Sequence, residues 1–478
     1  MEYNTVLTHK GYAIRKAFLD SKQVESITQT CTVEPVIDER YKTAKDYAFT
    51  VYRESPERYY LPREWALKKF GPPEKDLLSE GITLSDSAAE FLGKPYSYQI
   101  DIINSYLQSK RNGLICVPCG KGKTFMALNI ASQIKKRFLI VVDKEFLMNQ
   151  WKKEIQSLMP NLRIGTVQAE KREVDVSKYD CTICMIQTLC SQTFSESTFN
   201  TYGFTIFDEC HHLGAQHFSK CLFKIQTKKM LGLSATPKRE DGLTKVFEMF
   251  LGTPLYWEKV REPDPTVLVK GVKIECQDPD YLKVPLNWKK DIIIARLLTS
   301  ILECKERNTE IVRWIDNLCK DSRRKILVLS ARIAHLENLD SMCNKEITRS
   351  YYIGGMKEEV RETGAQNSQL LFASYSMASE AMNIKSLNTV LLVSPRSNVE
   401  QSTGRILRVL AKDRIIEPLI VDFIDPHSPF QSQWKGRYSY YKKCAYTISM
   451  LRQGLEEEIH DTTTIQIPDA NGCLFSDE

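Results

Sequence analysis

"LICVPCGKGKTF", residues 114–125, runs from an apolar stretch through a glycine-rich turn into a segment of helical period. The phosphate-loop pattern G-x-x-x-x-G-K-[ST] wants glycine at 117, where this chain has Val117. Gly120 supplies an extra flexible position instead, and Gly122, Lys123 and Thr124 keep the core of the pattern. Glycine lets backbone N–H groups crowd around phosphate oxygens, and the N-terminus of the helix that follows adds positive potential. On this reading Pro118, Cys119, Gly120, Lys121 and Gly122 wrap the phosphates of a nucleotide. Lys123 reaches the β and γ phosphates, and Thr124 places its hydroxyl on Mg²⁺. Alone, the match competes with a chance Gly-Lys loop.

Outward from this loop the chain has a rhythm. "GLICVP", "RFLIVV", "DCTICMI", "FTIFDE" and "KMLGLSA" are short, apolar and rich in β-branched residues. Helical segments such as "KTFMALNIASQIKK" and "KEFLMNQWKKEIQSLM" separate them. Strands alternating with helices predict a parallel sheet covered on both faces. The rhythm weakens near "YWEKVREPDPTV" and resumes with "KILVLSA", "QLLFASY", "TVLLVSP" and "PLIVDFI". The expected organisation is α/β: a small N-terminal accessory domain over 1–88, a first domain over 89–262, a linker over 263–290 and a second domain over 291–478. The N-terminal part is aromatic-rich, with turns at "ESPERYYLPREW" and "KKFGPPEKD". The acidic, polar end from about 455 is expected to be loose.

Bulk properties fit this layout. A chain of 478 residues is too long for one core. It has no run of about 18 apolar residues, so no membrane contact is expected. The start, "MEYNTVLTHKGYAIRKAF", lacks a basic segment followed by an apolar one, so a protein that is not secreted is expected. A net charge of +6 permits a polyanionic partner without demanding one. The 14 cysteines are scattered through apolar runs and are expected to be reduced thiols filling cores. Two C-x-x-C pairs, Cys116 with Cys119 and Cys181 with Cys184, raise zinc as an alternative. Residues three apart on a strand point to opposite faces, which favours buried thiols.

A second motif answers the first. "FTIFDECHH" is a buried strand ending in Asp208 and Glu209. A carboxylate at a strand's C-terminal end can hold Mg²⁺ through its waters, and its neighbour can orient or deprotonate a water, as nucleotide hydrolysis demands. Asp208, Glu209, Cys210 and His211 read D-E-x-H. Ser234, Ala235 and Thr236 follow in "LGLSATP", and "QSTGRILR" gives Q-x-x-G-R-x-x-R with Gln401, Arg405 and Arg408. In this order the motifs resemble those of superfamily 2 helicases and translocases over roughly residues 90–430.

Within that superfamily the chain looks most like XPB-like helicases and their relatives in large DNA viruses, a group that includes the poxvirus transcript-release helicase and its asfarvirus and mimivirus counterparts. "GLSATPKREDGLTKVFEMFLG" carries the likeness, with Arg239, Glu240 and Asp241 as an R-E-D element; "LPREWALKKFGPP", "YYIGGMKEE" and "SYSMASEAMNI" add to it. The resemblance implies two tandem RecA-like parallel-sheet domains and ATP hydrolysis with Mg²⁺. It implies an adenine contact in "KPYSYQ" from Gln99, with Tyr96 or Tyr98 nearby. It implies nucleic-acid contacts from "VVDKEFLMNQW", with Lys144, from Gln187 and Thr188 of "MIQTL", and from the R-E-D triplet as a duplex-opening element. The family's usual Pro is replaced by Asp143, and in "SEAMN" its Gly and Asp by Ala381 and Asn383. Asn383 would couple the γ-phosphate to movement. The implied partner is DNA, duplex or single-stranded, with a viral RNA polymerase or transcription factors beside it, inside the cell in host cytoplasm or virion.

Physical reasons support this assignment. Two similar domains create a cleft, one carrying the loop and acids and the other bringing Arg405 and Arg408, three apart on one helical face. An arginine on a transferring phosphoryl group contributes roughly 10³–10⁵ in rate. Closure on ATP and opening on product release would alternate two geometries. His211, near His212 and His217, reads as a link between the acid strand and the Ser-Ala-Thr strand, with zinc ligation as the alternative. "FQSQWKGRYSYYKKCAY" interleaves cations and rings; Trp434, Tyr438 and Tyr441 at helical spacing favour packing, with Lys435, Arg437, Lys442 and Lys443 partly exposed. An RNA helicase and an ATP-dependent assembly factor that does not separate strands remain alternatives.

Overall fold

The computed structural model describes residues 3–36, 47–118, 120–239, 241–258, 263–380, 382, 384–407, 409, 411–452 and 455–457. The chain divides into two compact units, one carrying the described residues through 258 and the other most of the chain from 263.

The first unit begins with a five-stranded sheet in the order Arg53–Glu54, Arg58–Leu61, Gly11–Arg15, Thr5–Thr8, Lys75–Asp76. Helix Ser21–Cys31 starts on a capping box between Asp20 and Gln23. Helix Arg63–Phe70 ties this sheet to the α/β part that follows. The buried Arg63 guanidinium donates to the carbonyl of Thr227 at 2.9 Å, and Glu64 accepts from Asn112 Nδ2 at 3.0 Å. Residues 1–88 therefore carry their own sheet yet share one compact unit with the first α/β sheet.

That sheet has eight strands, ordered Lys171–Arg172, Ile164–Gln168, Cys181–Met185, Phe138–Val142, Phe204–Phe207, Lys229–Ser234, Gly113–Cys116, Pro254–Trp257. All pairs are parallel except the one made by Lys171–Arg172. The five predicted strands of this domain are present. Their side chains alternate between two cores, as strand geometry requires: Leu139 and Val141 enter one, Phe138, Ile140 and Val142 the other. Cys181 and Cys184 likewise enter opposite cores as free, buried thiols. Cys119 lies outside the described residues.

The second unit holds another eight-stranded sheet, ordered Arg349–Tyr352, Leu370–Ser374, Ile326–Ser330, Thr389–Leu392, Leu419–Ile424, Leu268–Lys273, Thr447–Arg452, Leu455–Glu457. Only its last pair is antiparallel. The expected linker over 263–290 is corrected here, because Leu268–Lys273 is an inner strand paired on both sides. Its Val269 and Val272 are buried, while Lys270 and Gly271 break the apolar run that marks other strands. The Arg437 expectation is corrected too. On helix Ser428–Lys443 its guanidinium is buried and grips Asp422 through two bonds, at 2.8 and 2.9 Å, while Tyr441 donates to the same carboxylate. Trp434 and Tyr441 are core residues, as their spacing predicted. Of the end from about 455 that was expected to be loose, Leu455–Glu457 pairs antiparallel with Met450–Arg452, and the residues from 458 lie outside the described residues, among which no helix is long and apolar enough to cross a membrane.

Candidate active site

Because the strands run parallel, the C-terminal ends of Gly113–Cys116, Lys229–Ser234 and Phe204–Phe207 lie side by side at one edge of the first sheet. In open α/β sheets that edge is where ligands bind. The phosphate loop, the Ser-Ala-Thr turn and the acids all leave from it.

Val117, in place of the pattern's glycine, is buried and extends its strand, donating its N–H to the carbonyl of Ser234 at 3.2 Å. The turn therefore begins one residue later and needs no glycine at 117. Gly122 is a position where the backbone favours glycine. Its φ is +82°, and a Cβ there would stand 2.6 Å from Gln99 Nε2. It caps helix Lys123–Ile134, so Lys123 and Thr124 open the first turn.

Lys123 Nζ lies 3.0 Å from Glu209 Oε1. Glu209 itself has left-handed backbone, φ 42° and ψ 49°, an uncommon conformation for a non-glycine residue that turns the chain from the strand into the 3-10 turn Cys210–Gly214. Asp208 accepts from the Glu209 N–H at 3.0 Å and from the Trp151 indole at 2.8 Å. His211 Nδ1 is 3.0 Å from Ser234 Oγ and 3.4 Å from Glu209 Oε2, and Ser234 Oγ also accepts the N–H of Thr236 at 3.1 Å. Lys123, Glu209, His211, Ser234 and Thr236 thus form one polar chain joining the three loops, with Ala235 buried inside the last of them.

Burial and the Glu209 charge push the Asp208 carboxyl up, to about 6. Burial also opposes ionisation of Glu209, but Lys123 and then His211 outweigh it and hold that carboxyl down. Burial lowers His211 to about 4, so its imidazole is neutral near pH 7. Two adjacent acids pushed in opposite directions are suited to different roles. Asp208 and Thr124 are hard oxygen donors suited to Mg²⁺, and Glu209 Oε2 is buried and, although His211 Nδ1 approaches to 3.4 Å, accepts no hydrogen bond, which fits an edge completed by phosphate, metal and water. Among the described residues no three His, Cys, Asp or Glu side chains gather as a metal cluster. His211 and His212 rings are 4.2 Å apart without forming such a cluster.

The remaining predicted residues are placed as follows. Gln99 is buried; its Oε1 accepts the Tyr96 N–H at 3.0 Å and its Nε2 donates to the carbonyl of Lys121 at 3.1 Å, so its amide braces the phosphate loop. Tyr96 is 57% exposed and stacked on Tyr98 at 5.9 Å, leaving a ring face beside the loop. Lys144 precedes helix Glu145–Leu158. Gln187 is exposed and donates to the carbonyl of Asp143 at 2.6 Å, joining two segments expected to touch nucleic acid. Thr188 is buried and its hydroxyl accepts from Ala169 N–H at 3.0 Å, which makes it a brace for that loop. Arg239 is engaged within the unit: it donates to the carbonyl of His211 at 2.6 Å and pairs with Asp241. In the second unit Gln401 lies on the short helix Glu400–Thr403 and Arg405 is buried in the 3-10 turn Gly404–Ile406. Glu240, Asn383 and Arg408 lie outside the described residues. Sequence reasoning missed Trp151. Its signal was an indole on the apolar stripe of an amphipathic helix, whose N–H needs a partner when buried.

Comparison with known proteins accords with this arrangement. Residues 92–239 match the family described as type III restriction enzyme, res subunit. A protein of Acanthamoeba polyphaga mimivirus named "Putative ATP-dependent RNA helicase L396" is 31% identical over 455 residues, 93% of this chain and 86% of its own length. The chain belongs to the superfamily 2 helicases. The relatives of this helicase include helicases from other large DNA viruses. A Sulfurisphaera tokodaii protein named "DNA 3'-5' translocase XPB2" is 33% identical over 205 residues, 41% of this chain and 44% of its own. Among solved structures, yeast Dbp5 bound to RNA and ADP BeF3 covers 76% of this chain and 90% of its own at 11% identity and a TM-score of 0.54, a likeness of RecA-like fold. This is an ATP-hydrolysing helicase.

Proposed function

We propose that this helicase couples ATP hydrolysis to movement on, or opening of, DNA during viral transcription or genome processing. The observation that carries the reading is the Lys123–Glu209 pair at 3.0 Å, continued through His211 to Ser234. Without nucleotide, Glu209 occupies the ammonium that triphosphate would take. When ATP arrives, Lys123 moves to its phosphates and Glu209 is released to orient the attacking water. His211 feels that change directly and passes it to the Ser234–Thr236 turn. Asp208 and Thr124 would hold Mg²⁺, which when bound supplies charge neutralisation on the phosphates. Arg405 and Arg408, with Gln401 in the same motif, stabilise charge on the transferring group, and Asn383 couples that state to movement. Tyr96 receives the base, with Gln99 holding the loop beneath it. Lys144 and Gln187 face the nucleic-acid backbone.

DNA is favoured by the archaeal relative, whose name gives DNA as its track. A second reading, RNA, is favoured by the name of the mimivirus relative. The proposed place of action is the host cytoplasm or the virion, beside the viral RNA polymerase and its factors. Steady-state ATP hydrolysis with no nucleic acid, single-stranded DNA, duplex DNA and RNA tests the choice. Stimulation by DNA is the expected result. Preference for RNA would transfer the proposal to RNA, and ATP binding without stimulated turnover would replace it with an assembly role.

A further inference from the structure

Residues 282–294 of the second unit, expected to be linker in part, fold into a tight knuckle. An antiparallel bridge joins Leu286 to Ile292, and the Ile293 N–H donates to the carbonyl of Pro285 at 2.8 Å. Asn287 holds the tip: its Oδ1 accepts from the N–H of Lys289 and of Asp291, at 2.8 and 2.9 Å, and its Nδ2 donates to the Asp291 carboxylate at 3.1 Å. Trp288 stands on this tip with 87% of its surface exposed, and Lys289 Nζ lies 4.8 Å from its ring centre. Leu282, Val284 and Leu286, at alternate positions leading up to it, are exposed as well.

A fully presented indole on a backbone already ordered by hydrogen bonds loses little entropy when it stacks. The local charge selects the partner. Within residues 282–296, Lys283, Lys289, Lys290 and Arg296 are all exposed, against one carboxylate, Asp291, that is tied to Asn287; Asp278 and Asp280 lie just before this stretch, which leaves the cations in excess. A polyanion that also carries π faces suits both features, and single-stranded nucleic acid is that ligand.

We propose that the Trp288 knuckle is a stacking platform for an unpaired base, with Lys289 and Lys290 on the flanking phosphates. This rests on the helicase assignment, and none of the motifs discussed above includes these residues. The test is anisotropy of fluorescein-labelled single-stranded and duplex oligonucleotides with the full chain. Trp288→Ala should weaken single-strand binding about tenfold while duplex binding changes less than about twofold, and Trp288→Phe should retain most of the affinity. The double variant Lys289→Glu, Lys290→Glu should flatten the salt dependence on single strands by a slope of about 1.4. Single-strand affinity of Trp288→Ala equal to wild type would overturn the proposal and leave the knuckle as a protein-docking surface. Should that variant fail to fold, photocrosslinking of iodouracil-substituted strands to the unaltered protein decides: a crosslinked peptide containing Trp288 supports the platform, and crosslinks exclusively elsewhere overturn it. Wild-type protein that binds no nucleic acid would defeat the helicase assignment itself, a distinguishable failure.

Discussion

Replacing Glu209 with glutamine removes a charge and almost no volume, so its consequences follow from the charge alone. In the wild type Lys123 Nζ sits 3.0 Å from Glu209 Oε1, with both side chains largely buried. A charge-assisted hydrogen bond of this kind has a net value of about 1.5–3 kcal/mol, and ATP must displace it to reach the ammonium. Glu209→Gln removes that competitor, so ATP should bind about tenfold more tightly, the lower end of that range. The same substitution removes the carboxylate that orients water, which costs roughly 10²–10⁴ in turnover. The two effects have opposite signs, which a merely unfolded or misfolded variant would not produce. Equilibrium titration with a fluorescent ATP analogue reads the first and steady-state phosphate release the second. Nucleic-acid affinity should be nearly unchanged. Turnover within about threefold of wild type, or ATP bound more weakly than by wild type, would refute this account of the pair.

Three further outcomes are expected. Asp208→Asn should abolish turnover yet raise the melting temperature of the nucleotide-free protein at neutral pH. A carboxyl whose folded value is raised above its unfolded one costs stability when ionised, so the gain is full above about pH 6 and gone below about pH 4, which differential scanning fluorimetry across pH would read. Arg437→Met should destabilise the second unit by about 3–5 kcal/mol in denaturant melts, because it strands the buried Asp422 carboxylate, while nucleic-acid affinity stays within about twofold. Arg239→Leu should cut stimulated turnover about tenfold with little change in nucleic-acid affinity, since its guanidinium supports the His211 carbonyl; a comparable loss of affinity in binding assays would return Arg239 to the nucleic-acid interface.

The parts of the fold legible in the sequence were those whose strands are buried on both faces. "RFLIVV" and "KILVLSA" are uninterrupted apolar runs because helices cover each side of a parallel sheet. Leu268–Lys273 was missed because Lys270, Gly271 and Lys273 interrupt its pattern and prolines precede it. The acids and the phosphate loop were legible because their chemistry restricts residue type. What the sequence did not reveal was where long polar side chains end. Arg437 on a helix of cations looked exposed and is instead folded onto Asp422 of strand Leu419–Ile424. Thr188, Gln99 and Arg239 carry motif positions, yet each spends its polar atoms within its own unit, a fact that depends on partners distant in sequence. Trp288 falls in a stretch without helical or strand rhythm, and its exposure is visible only once Asn287 has closed the knuckle.

In the proposed mechanism triphosphate binds at the C-terminal edge of the first sheet by taking Lys123 from Glu209. A structure determined with magnesium and a non-hydrolysable ATP analogue tests it most directly. Phosphate oxygens are expected within the loop 118–124, with Lys123 Nζ bonded to them and the 3.0 Å contact with Glu209 broken. An analogue bound elsewhere, or Lys123 still paired with Glu209 beside an occupied loop, would contradict it.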